Sequence, residues 1–397
     1  MVMALEGIRI LDFSHTIGAY CTRLLADLGA DVLKVEQYPR RFAGEVSEEE
    51  EIRSAAFNAS GRNKRSIALD LKVPEAREIV YRLARETDVV MEDFRPGVTA
   101  RLGVDYPTLA AVNPRIVYCS ISGYGQSGPY AQVPGHDPNY LGFAGVLETM
   151  GVPDGPYCLP GVLVADYAGG SMPAAIGILT ALLAREKTGQ GQHIDIAMAD
   201  GVIALVAASH GSYFATGLAP KRGERPAHVY ETKDGKRLVV APTEPWFWER
   251  LCRALGLEQY ISYHHDAQAR TPEHQYSDEG RRRREEVIAA FTAVFKTRTR
   301  DEWLRLLWDI DTCAAPVYTF EEVFSDPQVL HRQMVVDLDH PQVGNVRQVG
   351  IHIKLSETPG QVRSFAPRFG EHTEAVLNTL GYSPEAVQRL RHSGAIP

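Results

Sequence analysis

Short apolar runs alternate with stretches of helical period through the first half of the chain. Gly7–Phe13 is rich in Ile and Leu and reads as a buried strand. Ala19–Leu28 sets Leu24, Leu25 and Leu28 at helical spacing, and Gly29 is a good stop. Asp31–Glu36 reads as a second strand. Pro74–Glu86 reads as a helix that turns Ile79, Leu83 and Ala84 inward, and Asp88–Glu92 and Arg115–Ser120 read as further strands. This alternation predicts an α/β fold with a Rossmann-like parallel sheet. Asp166–Glu186 is a long helix after a loop. Its apolar run, Ile176–Leu183, soon meets Arg185, Glu186 and Lys187, so it reads as a buried helix and not as a membrane span. His193–Met198 follows as a strand after the turn Thr188-Gly189-Gln190-Gly191.

The pattern changes near Gly217–Pro226, a loop rich in Gly, Pro and charge. Val229–Thr232 and Arg237–Ala241 flank Asp234-Gly235, a hairpin signal. Helical stretches follow at Trp246–Leu255, Arg283–Phe295 and Arg300–Trp308. The expected organisation is a large Rossmann-like domain over 1–224, a smaller α/β domain over 225–325, and a segment, 326–397, that returns to the large domain. The polar stretch His264–Arg284 reads as a solvated loop leading into a helix, with Arg281–Arg284 as its exposed start.

Composition narrows the class. The 397 residues are 44% hydrophobic and 23% charged, as in an ordinary soluble protein. The net charge of −8 argues against nucleic acid as the partner. The first residues, Met1-Val2-Met3-Ala4-Leu5-Glu6, lack the basic and apolar regions of a signal peptide. Cys21, Cys119, Cys158, Cys252 and Cys313 are scattered and odd in number, which fits reduced thiols in a cytoplasm.

The first strand–helix turn, Ser14-His15-Thr16-Ile17-Gly18-Ala19, carries a single glycine. It lacks the fingerprint that lets a backbone approach a dinucleotide pyrophosphate, so neither NAD nor FAD is expected. No cluster with metal-ligand spacing is evident; adjacent residues such as His264-His265-Asp266 rarely point at one ion. The informative pair is His136, in Gly135-His136-Asp137, and Asp166, in Val164-Ala165-Asp166-Tyr167. Each sits at the edge of an apolar segment. A histidine and a carboxylate can bracket a carbon acid and exchange its proton on two faces. Plainer readings stand beside this one: His136 as a turn residue, Asp166 as a helix cap, Glu244 as a surface residue before a helix, and Lys72, Arg95 and Arg101 as surface charges.

Beyond these readings, the chain resembles the class III CoA-transferase family, and within it the alpha-methylacyl-CoA racemase branch. The resemblance runs through Gly7–Ser14, Leu24–Val32, Asn63–Lys72, Glu92-Asp93-Phe94-Arg95-Pro96-Gly97, Tyr118–Gly125 and Thr188–Gln192. It implies two interlocked subunits and an acyl-CoA thioester as substrate; with the dinucleotide fingerprint and clustered metal ligands both missing, no further cofactor and no metal are expected. In such transferases the aspartate at 166 carries the acyl group; in racemases it is the acid/base partner of a histidine. Gly135–Leu141 looks like the racemase form, Thr243–Phe247 like the stretch whose glutamate, here Glu244, supports that histidine, and Asp311–Val317 like the racemase pattern nearby. Carried over as CoA contacts are Leu69, Lys72, Asp93, Phe94 and Arg101. Where the family commonly has Glu-Arg-Pro, this chain has Glu36-Gln37-Tyr38-Pro39-Arg40-Arg41, so either Arg40 replaces the arginine across a shifted loop or the CoA contact differs.

The resemblance therefore implies a racemase or epimerase of 2-methyl-branched acyl-CoA thioesters, acting by proton transfer at the alpha carbon through an enolate. The alternative is a CoA-transferase between carboxylic acids through an Asp166 intermediate, with His136 incidental. A weaker third reading is a catalytically silent CoA-thioester binder.

Overall fold

The computed structural model describes residues 2–39, 47–151, 155–219, 222, 227–264 and 277–397. The chain divides into two compact units. The first comprises Met1–Val146, Leu159–Ala207 and Leu330–Pro397; the second comprises Leu147–Cys158 and Ala208–Val329. The break expected at 224/225 thus falls inside the second unit, which already begins at Ala208 and also takes the Leu147–Cys158 insertion.

The first unit is built on six parallel strands: β1 (Arg9–Asp12), β2 (Asp31–Gln37), β3 (Lys64–Leu69), β4 (Val89–Glu92), β5 (Val117–Ser122) and β6 (His193–Ala197). Their order is β3-β2-β1-β4-β5-β6. Every residue of β4 and β5 is buried, as expected of central strands with both faces covered. The helix Pro74–Ala84 buries Ile79 and Val80 in the same apolar cluster as Leu11, Ile67 and Val90. Strand order reverses between β1 and β4, which opens a crevice at their carboxyl ends.

β3 is absent from the apolar pattern because it opens on Lys64 and Arg65. Lys64 is nonetheless fully buried: its Nζ lies 3.1 Å from Asp12 Oδ2 and donates to Thr22 Oγ1 at 2.7 Å and to the Ala19 carbonyl at 2.9 Å. A charge with this many partners tolerates a core position. The outer edge of β3 is closed by the C-terminal segment. His372 N–H donates to the Ser66 carbonyl at 2.9 Å, while Ser66 N–H donates to His372 Nδ1 and Ala68 N–H to Thr373 Oγ1.

The long helix begins as a π-helical turn, Ala165–Ser171, and continues as an α-helix over Met172–Thr188. Gly169 and Gly201 let the helix Met198–Leu205 press on this turn: a Cβ at Gly201 would lie 2.0 Å from the Gly169 carbonyl oxygen. Its apolar run is buried on one face only. Ile178, Ala181 and Leu182 are covered, whereas Ile176 and Leu183 are 66% and 70% exposed. By length and composition alone Ala165–Thr188 is apolar enough to cross a membrane, a test that the core helix of a soluble protein also passes; the exposed Ile176 and Leu183 correct the reading of this run as buried throughout. The sequence reading took the run to end at Arg185, yet Arg185 is itself 6% exposed and tied to Asp88 at 2.9 Å.

The second unit carries the antiparallel strands β7 (His228–Glu231), β8 (Arg237–Val240) and β9 (Ala314–Val317). Gly235 takes the left-handed conformation (φ +73°) that the β7–β8 hairpin turn requires. Helices Pro245–Leu255, Asp278–Phe295 and Arg300–Asp309 pack Trp248, Phe291, Phe295 and Trp303 into its core.

Candidate active site

His136 and Asp166 line one cavity of about 380 Å³ in the first unit. Its walls are the loop after β4 (Asp93–Pro96), the end of β5 (Ile121–Gly123), Ile17, and the loop that leads into the helix Asp137–Phe143. His136 is the residue before that helix; its backbone N–H donates to Asn139 Oδ1 at 2.9 Å, and its side chain is exposed to the cavity. Asp166 is placed by the π-helical turn and is 9% exposed. Such turns are frequent at functional sites.

One carboxylate ties the two loops together. Asp137, 3% exposed, accepts from the backbone N–H groups of Ala165 (2.6 Å) and Asp166 (3.1 Å) through Oδ2. The residue after His136 therefore grips the backbone of Asp166 itself. Sequence reasoning left Asp137 out of the site; adjacency to His136 was the available signal.

Burial pushes the Asp166 carboxyl up from an ordinary 3.8 to about 6, Asp137 and Asp93 add to the rise by repulsion, and His136 opposes it. Its Oδ1 is buried with no hydrogen-bond partner among the described residues. A carboxyl raised toward neutral pH in the lining of a cavity is suited to take and return a proton. An imidazole shares that cavity.

A larger cavity of about 880 Å³ lies alongside, at the carboxyl ends of β1 to β4. Leu69, Lys72, Asp93, Phe94 and Arg101 all line it. Asp93, Phe94 and Arg95 also line the smaller cavity and form the wall between the two. Leu69 is fully buried in its floor. Asp93 has a distinct local task. Its carboxylate accepts from the backbone N–H groups of His15 (2.9 Å) and Gly18 (3.2 Å), at the start of the helix Ile17–Asp27. The anion position that a dinucleotide-binding turn offers to pyrophosphate is thus filled by the chain's own carboxylate. His15, Lys34 and Phe369 line the large cavity too and were not singled out from the sequence. Arg40 lies outside the described residues.

Glu244 belongs to the second unit. It precedes the helix Pro245–Leu255, and its Oε2 accepts from Thr243 Oγ1 at 2.8 Å. His264, 6% exposed in the same unit, is paired through Nε2 with the Thr243 carbonyl oxygen at 3.1 Å. Among the described residues no group of three or more His, Cys, Asp or Glu side chains is arranged to hold a metal ion.

Residues 5–373 match the CoA-transferase family III. The chain is 34% identical over 402 residues to the alpha-methylacyl-CoA racemase of Homo sapiens, covering 98% of this chain and 96% of that one. It is 32% identical over 429 residues to a formyl-CoA:oxalate CoA-transferase of Bradyrhizobium sp. (strain ORS 278), covering 100% and 98%. A crystal structure of a CAIB/BAIF family protein from Brucella suis superposes with a TM-score of 0.79 at 31% identity, covering 96% of this chain and all of that one.

Proposed function

We propose a reaction from the premise that the chain belongs to CoA-transferase family III and is an enzyme of that family. The reading is a racemase or epimerase of 2-methyl-branched acyl-CoA thioesters. The observation that carries it is the shared cavity of His136 and Asp166, with the Asp166 carboxyl raised to about 6. One of the two removes the alpha proton, and the C–H electron pair moves into the thioester carbonyl to give an enolate. The other, in its protonated form, returns a proton to the opposite face. The starting charge is restored after the complementary pair exchanges protons with water. Because Asp137 fixes the backbone of Asp166 next to the His136 loop, the two groups keep their places while the alpha carbon changes hand.

The 880 Å³ cavity is where this reading seats CoA. Lys72 and Arg101 supply cations for its phosphates, and Leu69 and Phe94 supply apolar surface. In this reading the thioester arm runs past Asp93, Phe94 and Arg95, which line both cavities, to reach His136 and Asp166. Glu244 is assigned to orient the imidazole, in an interlocked homodimer. The reaction as written needs no metal, flavin or nicotinamide, and exhaustive chelation is expected to leave turnover unchanged.

One observation favours a second reading. The Asp166 carboxylate, in the lining of the same cavity, is also suited to attack a thioester carbonyl, expel CoA thiolate and form a mixed anhydride, as a CoA-transferase requires. Two variants and a trap separate the readings. In the racemase, His136→Ala and Asp166→Asn each remove most racemisation, by about 10²–10⁴-fold. In the transferase, His136→Ala keeps near-full activity, turnover requires an added carboxylate, and hydroxylamine traps an acyl group on Asp166.

A further inference from the structure

We propose that Phe369 packs on the adenine of the bound CoA thioester, and that the C-terminal segment is folded onto β3 to hold it there. The inference rests on the acyl-CoA reading above and adds a ligand-contacting residue to it.

Among the described residues, the others around the large cavity come from the first third of the chain, between Phe13 and Leu102, and Phe369 alone arrives from the C-terminal segment. Its backbone is fixed on both sides. Arg368 N–H donates to Glu371 Oε2 at 2.7 Å, and Gly370 N–H donates to Ser66 Oγ at 2.9 Å and to Glu36 Oε2 at 3.2 Å. Gly370 adopts φ +62°, and a Cβ there would lie 2.8 Å from Ala68 Cβ, so the chain reverses against β3 at a point only glycine fits. His372 and Thr373 then satisfy the free N–H groups of β3. These contacts hold the half-buried Phe369 in the lining of the cavity.

Position decides which part of the ligand it meets. Phe369 sits beside β2 and β3, through Glu36 and Ser66, whereas the wall shared with the His136–Asp166 cavity follows β4. In the order β3-β2-β1-β4 these lie at opposite ends, about 14 Å apart at ordinary strand spacing. The reacting thioester must cross the β4 wall, so the β3 end receives the distal nucleotide. Leu69 and Leu71 supply apolar surface at that end, and a flat base gains most from an aromatic face beside them.

The test is calorimetric titration of CoA into the wild type, Phe369→Ala and Phe369→Tyr, together with kinetics on a 2-methylacyl-pantetheine thioester that lacks the nucleotide. Losing a ring stacked on a base weakens binding by about 5- to 150-fold. Phe369→Ala is therefore expected to weaken CoA by about tenfold or more, Phe369→Tyr to restore it, and neither to change kcat/KM for the pantetheine thioester. Wild-type affinity for CoA in Phe369→Ala, or an equal loss on CoA and on the pantetheine thioester, overturns the inference and leaves the acyl-CoA reading standing. A wild type that binds no CoA overturns both.

Discussion

Replacing Asp166 with Asn exposes what its environment costs the fold. The folded carboxyl sits at about 6 against an ordinary 3.8, chiefly through burial and then through repulsion from Asp137. A group held above its unfolded value favours the folded state most at low pH. That contribution is lost as pH rises from 3.8 through about 6. The difference amounts to about 3 kcal/mol against the ionised folded state above that window, an upper bound because a cavity-facing carboxyl keeps some solvent. Asparagine has nearly the same shape and never ionises. The variant is therefore expected to be more stable than the wild type at pH 8 by up to about 3 kcal/mol, and by only about 1 kcal/mol at pH 4.5. The assay is urea denaturation at both pH values, followed by far-UV circular dichroism or by hydrogen exchange of β4 and β5 amides. Tryptophan fluorescence is unsuitable, because Trp246, Trp248, Trp303 and Trp308 all lie in the second unit. Any constant change in hydrogen bonding cancels in the comparison between pH values. A gap that stays the same from pH 4.5 to pH 8, or a variant that loses more stability at pH 8, refutes the reasoning.

Further outcomes follow from the same contacts. Asp137→Asn removes the repulsion on Asp166 and is expected to move the acid limb of kcat/KM to lower pH; an unshifted pH–rate profile counts against it. Asp137→Ala also leaves the N–H groups of Ala165 and Asp166 buried without an acceptor, at a cost of about 2 kcal/mol or more, measured by urea denaturation. Lys72→Ala and Arg101→Ala are expected to raise KM for an acyl-CoA with little change in kcat and to make binding less salt-sensitive. A fall in kcat at constant KM places those side chains elsewhere. Chelation that abolishes activity, restored by one metal, contradicts the metal-free reaction.

The fold was legible where apolar spacing is unbroken. β1, β2, β4 and the helix Pro74–Ala84 lie within or close to their expected bounds, because burial alone dictates their pattern. β3 was not legible as a strand. Its first residues are charged, and only the tertiary contacts of Lys64 with Asp12 and Thr22 make that position internal. The π-helical turn at Asp166 left no periodic signal either, since it depends on the close approach of Gly201 to Gly169. In the site, His136 and Asp166 stood out by chemistry, and the cavity that unites them is a product of topology. Leu69, Lys72, Asp93, Phe94 and Arg101 came from the family resemblance and fall around one cavity. Asp137 could be read from the sequence as a site residue or as a brace for the loop and was left out of the site; which backbone it holds, that of Ala165 and Asp166, is set by the tertiary fold. Phe369 was missed because it reaches the cavity from the far end of the chain, through edge contacts on β3.

The central claim is that His136 and Asp166 exchange an alpha proton. Its most direct measurement is incubation of the purified protein with one enantiomer of a 2-methylacyl-CoA in deuterated water, without any acceptor acid. The account predicts deuterium at C2 together with the appearance of the other enantiomer, and the loss of that inversion in His136→Ala and in Asp166→Asn. Unlabelled, uninverted substrate, with CoA passing only to an added carboxylate, contradicts it.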